Sequence, residues 1–221
     1  MPPPPPGALR IGAAIVLRLP RLYAIVDPLD TGLSPTALAA ALLAGGARCL
    51  QLRWKGAAPR EVLEAARAIR PLVHDAGGLF FVNDRPDVAV LAAADGVHLG
   101  QDDVPVAAAR RVLGPGRLIG LSTHDPEQAR AAAAAGADYV AVGPIYATRS
   151  KVGALAPRGL DLVRAARACV PCPLVAIGGI DATTAAEVVA AGADAVAIIA
   201  ALVRTPDPAA AVRDVLARLP T

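Results

Sequence analysis

The chain of 221 residues is 55% hydrophobic and 19% charged, with a formal charge of +3 and a pI near 9.0. That apolar content excludes a disordered chain, and the length suits one α/β domain of barrel size. Only 3% of residues are aromatic and no run of like charge exists, so the clustered face that nucleic-acid binding needs is missing, whereas a mild positive balance suits small anions.

The chain starts M-P-P-P-P-P-G-A-L-R. Proline lacks the N–H that helix and sheet require, so this stretch predicts a disordered, unpaired tail. The apolar run 11–17 is too short to span a membrane, and no signal peptide is evident. A cytoplasmic protein is expected, with residues 1–20 as tail and lead-in and 21–221 as one catalytic domain.

From there a phrase repeats: A-A-A-D-G-V-H-L-G at 92–100, A-G-A-D-Y-V-A-V-G at 135–143 and A-G-A-D-A-V-A-I-I at 191–199, with G-G-A-R-C-L-Q-L-R at 45–53 as a looser copy. In each, an alanine-rich helix stops, usually at glycine, and a short apolar strand follows. Ser34-Pro35, Asp125-Pro126 and Asp181 mark helix starts. The alternation predicts strands near 21–27, 49–55, 79–84, 96–100, 118–124, 139–145, 174–180 and 195–200. They are almost continuously apolar, as a parallel sheet buried on both faces requires. Eight βα units in one domain predict a (β/α)8 TIM barrel; a doubly wound open sheet is the alternative, but no G-x-G-x-x-G follows the first strand.

In such a barrel chemistry sits at the C-terminal strand ends. The second predicted strand ends in Gln51, Arg53 and Lys55, and the period of two sends these inward while Leu50, Leu52 and Trp54 face the helices. The next strand ends bring Asn83 and Asp84, then Asp102 and Asp103, then Ser122 and His124, then Thr148, Ser150 and Lys151, then Gly178 and Gly179. Both lysines, the only asparagine and two of the three serines fall on this one face. Carboxylates from adjacent strands are hard-oxygen ligands suited to Mg²⁺. Lysine suits phosphate oxygens and arginine adds a bidentate clamp. Glycines after the seventh strand let backbone N–H groups approach a phosphate. Together these imply a diphosphate leaving group and a second phosphorylated substrate. No nucleophile–base dyad is visible, and a lone strand-end His124 reads as structural. The three cysteines, Cys49, Cys169 and Cys172, are too few for a disulfide framework; C-V-P-C at 169–172 lies away from the mouth and reads as packing.

The set Q-L-R-x-K (51–55), N-D (83–84), H-L-G-Q-D-D (98–103), G-L-S-T-H (120–124), G-P-I-Y-x-T-x-S-K (143–151), I-G-G-I (177–180) and A-G-A-D (191–194) resembles the thiamine-phosphate synthases, from about Tyr23 to the last helix. That family joins a hydroxymethylpyrimidine diphosphate to a thiazole phosphate and releases diphosphate. The resemblance implies that Gln51, Arg53, Lys55, Asn83, Ser122 and Lys151 hold the pyrimidine diphosphate, and that Asp84 and Asp103 ligate Mg²⁺. It implies that Thr148, Arg149, Ser150, Gly179, Ile199 and Ala200 line the thiazole phosphate site. Lys151, Arg53, Lys55 and Ser122 would be the catalytic set in a dissociative reaction. Four positions depart from the pattern: Trp54 replaces an acidic residue, Ala147 a proline, Ser150 a threonine, keeping the hydroxyl, and Ala200 a serine. Two rivals remain, a thiazole tautomerase on the same barrel and a non-catalytic sensor of thiazole or thiamine phosphate; neither needs a pair of metal carboxylates. The partners implied are the two small phosphorylated substrates, with no nucleic acid and no membrane; a homo-oligomer stays open. Residues 147–157 read as a mobile cover.

Overall fold

The structure, a computed structural model, describes residues 8–11, 14–28, 31–148 and 155–220. Arg149, Ser150, Lys151, most of the expected cover and residues 1–7 lie outside the described residues.

Eight parallel strands close into a barrel: β3 (Leu22–Val26), β4 (Cys49–Leu52), β5 (Leu79–Asn83), β6 (Gly96–Leu99), β7 (Leu118–Thr123), β8 (Tyr139–Val142), β9 (Leu174–Ile177) and β10 (Ala195–Ile198), with β10 pairing back onto β3. Between them run α1 (Pro35–Ala44), α2 (Pro59–Asp75), α3 (Pro86–Leu91), α4 (Val106–Leu113), α5 (Pro126–Ala134), α6 (Gly159–Arg167) and α7 (Ala185–Ala190); α8 (Ala200–Val203) and α9 (Pro208–Arg218) end the chain. This is the TIM barrel that the alternation predicts. Among the described residues no helix is long and apolar enough to cross a membrane.

Strand alternation divides the core in two. Leu22, Ala24, Val26, Leu50, Leu52 and Phe80 pack outward against the helices, with Trp54 beside them. Tyr23, Ile25, Cys49, Leu79, Phe81, Tyr139 and Val175 fill the barrel. Leu17 and Leu19 of the lead-in pack against this inner set, so the lead-in closes the N-terminal opening.

One expectation needs correcting. Residues 8–10, read as part of an unpaired tail, lie in β1 (Ala8–Ile11), which pairs antiparallel with β2 (Ala14–Leu17). The physical reason is composition: the prolines end at position 6, and positions 8–17 contain none, so every backbone N–H there can join a ladder.

Helix starts follow their caps. Ser34 Oγ accepts the Ala37 N–H at 3.2 Å and Asp125 Oδ1 the Gln128 N–H at 2.8 Å, each followed by proline at the first helical position. Asp181 opens a turn instead. Its Oδ1 accepts from the N–H groups of Thr183 and Thr184, and α7 begins only at Ala185.

The repeated phrase marks every second unit, just before β4, β6, β8 and β10. In three copies its aspartate does one job. Asp95 Oδ2 accepts the Phe80 N–H at 2.8 Å and lies 2.9 Å from His74 Nε2. Asp138 Oδ2 accepts from Ile119 N at 2.7 Å and Arg110 Nη2 at 2.5 Å. Asp194 Oδ2 accepts from Leu174 N and Arg167 Nη1, both at 2.8 Å. Each carboxylate thus ties the entry of its own strand to the start of the preceding strand and to the end of the helix that leads into that preceding strand.

Candidate active site

Two cavities adjoin at the C-terminal ends of the strands. One, of about 230 Å³, is lined by Gln51, Arg53, Lys55, Asn83, Asp84, His98, Asp103 and Ser122. The other, of about 550 Å³, is lined by Ser122, His124, Thr148, Gly178, Gly179, Ile199 and Ala200. Ser122, Gln101, Asp102, Ile177, Ala197 and Ile199 belong to both walls. All the sequence-derived site residues within the described part of the chain therefore line one cavity or the other.

The smaller cavity is charged. Arg53 is held by a salt bridge to Asp27, which is buried at the end of β3, and Lys55 by one to Asp84. Asp27 was not singled out by the sequence reading; the charge at the end of the first apolar strand, inward by strand parity like Tyr23 and Ile25, was the available signal. Asp84 has φ of 62°, a left-handed conformation in which aspartate is among the tolerated residues, and its N–H donates to His98 O at 2.8 Å. Asp103 Oδ2 accepts the Gly100 N–H at 2.7 Å. Burial, and then the neighbouring Asp84 carboxylate, push the Asp103 carboxyl above its ordinary range, while the Gly100 N–H and then Lys55 partly offset them.

A divalent cation fits this pair. Two carboxylates in contact repel each other, and a bound cation removes the repulsion. Among the described residues no group of three acidic, His or Cys side chains is gathered. A pair of carboxylates is itself enough for Mg²⁺, which takes one or two and completes its shell with water and substrate phosphates.

The larger cavity is walled by backbone. Gly179 has φ of 65°, and a Cβ there would lie 2.4 Å from Ala147 O and 2.8 Å from Tyr146 Cβ, so no other residue lets the two loops approach so closely. The Tyr146 N–H donates to Gly178 O at 2.9 Å, and its hydroxyl donates to Glu187 Oε1 at 2.5 Å. Burial, then Glu187, push that phenol up to about 12, so it stays a donor. Loop and α7 are thereby tied together beside Thr148. His124 Nδ1 lies 2.7 Å from Gly143 O and the His124 N–H donates to Gln128, a structural use that agrees with its sequence reading. The C-V-P-C pair plays no part here: Cys169 Sγ donates to backbone carbonyls, and both thiols are free.

Sequence reasoning missed the floor beneath the smaller cavity. Gln51 Nε2 donates to the Tyr23 hydroxyl at 3.0 Å, Tyr23 and Tyr139 hydroxyls are 2.8 Å apart, Tyr139 lies 2.9 Å from His98 Nδ1, and His98 Nε2 lies 2.8 Å from Ser122 Oγ. Gly120 makes room for it: a Cβ there would sit 2.0 Å from Tyr139 Cζ. His98 was visible only as a letter inside the repeat, at an alternation position that otherwise carries packing residues.

A family model described as Thiamine monophosphate synthase matches residues 22–202. The chain is 51% identical to the thiamine-phosphate synthase of Methanoculleus marisnigri, over 90% of this chain and 94% of that one. It is 48% identical to the thiamine-phosphate synthase of Moorella thermoacetica, over 87% and 92%. Among solved structures it resembles thiamine phosphate pyrophosphorylase from Pyrococcus furiosus, with a TM-score of 0.82 and 34% identity, covering 90% of this chain and 94% of that one.

Proposed function

The chain belongs to the thiamine monophosphate synthase family, transferases of thiamine biosynthesis, and from that premise we propose the reaction in detail. It condenses 4-amino-2-methyl-5-hydroxymethylpyrimidine diphosphate with 4-methyl-5-(2-hydroxyethyl)thiazole phosphate, giving thiamine phosphate and diphosphate. The observation that carries this reading is the pair of adjoining cavities meeting at Ser122, one rich in charge and one walled by glycine backbone. A bisubstrate reaction needs two compartments with one shared boundary. The carboxylate pair at Asp84 and Asp103 favours a diphosphate substrate over a tautomerase, which has no leaving group to neutralise.

In this reading Gln51, Arg53, Lys55, Asn83, Ser122 and Lys151 hold the pyrimidine diphosphate. Thr148, Arg149, Ser150, Gly179, Ile199 and Ala200 hold the thiazole phosphate, with the contact at Ala200 coming from its backbone N–H. Asp84 and Asp103 would hold Mg²⁺, which when bound would supply positive charge beside the leaving diphosphate. Arg53, Lys55 and Lys151 stabilise the charge that grows on the bridging oxygen as the C–O bond breaks. The pyrimidine-methyl cation left behind is attacked by the thiazole nitrogen across the shared boundary. Such a mechanism needs alignment and charge stabilisation and no protein nucleophile, so the His98–Ser122 pair, which the sequence reading did not foresee, is read as positioning Ser122 rather than activating it.

The test is direct. Purified protein, both substrates and Mg²⁺ are mixed, and thiamine phosphate is sought in the product. Its absence under conditions where the protein is folded would sink the assignment.

A further inference from the structure

The hydrogen-bonded line under the smaller cavity has a direction, and that direction fixes what the cavity offers to a ligand. Four of its five members are buried: Gln51, Tyr23, Tyr139 and His98 are 2, 1, 0 and 7% exposed. Its two ends, Gln51 and Ser122, line the cavity. Burial pushes both phenols well above their ordinary range, so each remains protonated and has one hydrogen to place.

Start at Gln51. An amide nitrogen carries hydrogens and cannot accept, so it donates into the Tyr23 oxygen. The Tyr23 hydrogen then serves the Tyr139 oxygen, and the Tyr139 hydrogen serves His98 Nδ1. Nδ1 must be the bare nitrogen of the ring, so the hydrogen sits on Nε2 and points at Ser122 Oγ. The serine's own hydrogen is displaced into the cavity. With Tyr139 turned the other way, two hydrogens would converge on the Tyr23 oxygen and the Tyr23 hydrogen would have no acceptor along the line.

We propose that this line of five side chains sets the hydrogen-bond polarity of the pyrimidine pocket, with Gln51 presenting its carbonyl oxygen as an acceptor, Ser122 presenting its hydroxyl as a donor, and His98 acting as the positioning residue for Ser122. The ligand class that fits is a heteroaromatic ring bearing an exocyclic amine, which donates at Gln51, on a molecule that accepts at Ser122 through a ring nitrogen or a phosphate-ester oxygen. An oxo group in place of the amine would face the Gln51 oxygen with no hydrogen between them, so the pocket rejects the pyrimidinone analogue. This inference rests on the proposed reading of the cavity as the pyrimidine diphosphate site.

Two measurements test it. The first needs no substrate: full-length protein with ¹⁵N-labelled histidine reports which ring nitrogen carries hydrogen, and His98→Gln identifies the His98 signals by their loss. The expected result is hydrogen on Nε2 and a bare Nδ1; a His98 ring with hydrogen on Nδ1 overturns the proposal. The second uses Tyr139→Phe, which cuts the line at its centre with little change of shape. The KM for pyrimidine diphosphate should rise about tenfold with kcat within about threefold, and the preference for amine over oxo substrate should fall about tenfold. A folded Tyr139→Phe with wild-type KM and wild-type preference also overturns the proposal. If that variant does not fold, the labelled wild-type protein decides alone. A wild-type protein with the expected tautomer that makes no thiamine phosphate would refute the proposed reaction and leave the polarity standing.

Discussion

At the N-terminal end of the barrel, Asp95, Asp138 and Asp194 each commit one oxygen to a strand N–H and to a basic side chain on the helix that leads into that strand. At the C-terminal mouth, Asp84 and Asp103 lie against each other, with Lys55 bonded to Asp84. The residue types are the same and the surroundings are opposite. Below, every carboxylate is satisfied by fixed partners from three elements, which locks successive units together. Above, the carboxylates are crowded, one of them on left-handed backbone, each with a single partner, Lys55 for Asp84 and the Gly100 N–H for Asp103, and in the proposed reading a bound cation relieves their repulsion. Charge tied to several fixed elements at the bottom serves stability; crowded like charge at the mouth is what the proposed reading assigns to binding.

The widest separation between the two ends should come from exchanging one aspartate for asparagine at the mouth. Asp84→Asn keeps a residue that tolerates φ of 62°, so charge is removed without adding backbone strain. Loss of one well-placed charge interaction costs roughly 10²–10³ in rate. Turnover should fall by about that factor while the thermal midpoint stays within about 2 °C of wild type. Full activity in Asp84→Asn, or in wild-type protein stripped of divalent ions by chelator, would break the assignment of this end to chemistry.

The converse change is Asp95→Ala. It leaves the buried Phe80 N–H without its acceptor and removes the partner of His74. The expected cost is about 2–3 kcal/mol, near 5–10 °C in a barrel of this size, with unchanged turnover per folded molecule. Asp95→Asn should be milder than Ala, because one oxygen takes both bonds and an amide oxygen can still accept them. Equal loss in both variants, or lost turnover in folded Asp95→Ala, would blur the distinction between the ends.

Much of this was legible in the letters. The eight strands, the inward set Gln51, Arg53 and Lys55, and the gathering of Lys55, Asn83 and Ser122 at one mouth all follow from period-two alternation and barrel topology. What stayed hidden depends on side chains meeting across strands far apart in sequence. Asp95, Asp138 and Asp194 were visible as a repeated letter, but their partners sit 15 to 28 residues earlier. Gly120 reads as a weak strand residue until the Tyr139 ring is placed beside it. The β1–β2 hairpin was obscured because five prolines dominate the reading of the segment they begin.

The lead-in sharpens the picture of the lower end. Leu19 is 8% exposed and packs with the inner set of the barrel. Leu19→Ala removes part of the plug while solvent can relax into the gap, so a cost of about 2 kcal/mol, the low end for a buried leucine, is expected. Calorimetry should show a midpoint lower by about 4–8 °C with turnover unchanged. An unchanged midpoint would mean that the opening is closed without Leu19.

The smallest effect should also be the one with an unusual sign. Burial, and then Asp84, raise the folded-state pKa of Asp103. A carboxyl raised on folding contributes stability that is fully present below its unfolded value, about 3.9, and is lost as pH rises through the folded value. At neutral pH the ionised Asp103 therefore weighs against the fold. Asp103→Asn removes the charge yet can keep the 2.7 Å bond from the Gly100 N–H through its amide oxygen. The variant should melt about 1–3 °C above wild type at pH 7, and the two should converge as pH falls through that window. Millimolar Mg²⁺ should raise the wild-type midpoint, since an ion that binds only the folded state stabilises it, and should raise the variant's much less. An Asp103→Asn protein less stable than wild type at pH 7, or shifted equally by Mg²⁺, would show that Asp103 is satisfied in the manner of Asp95 and that the two ends of the barrel do not differ as described.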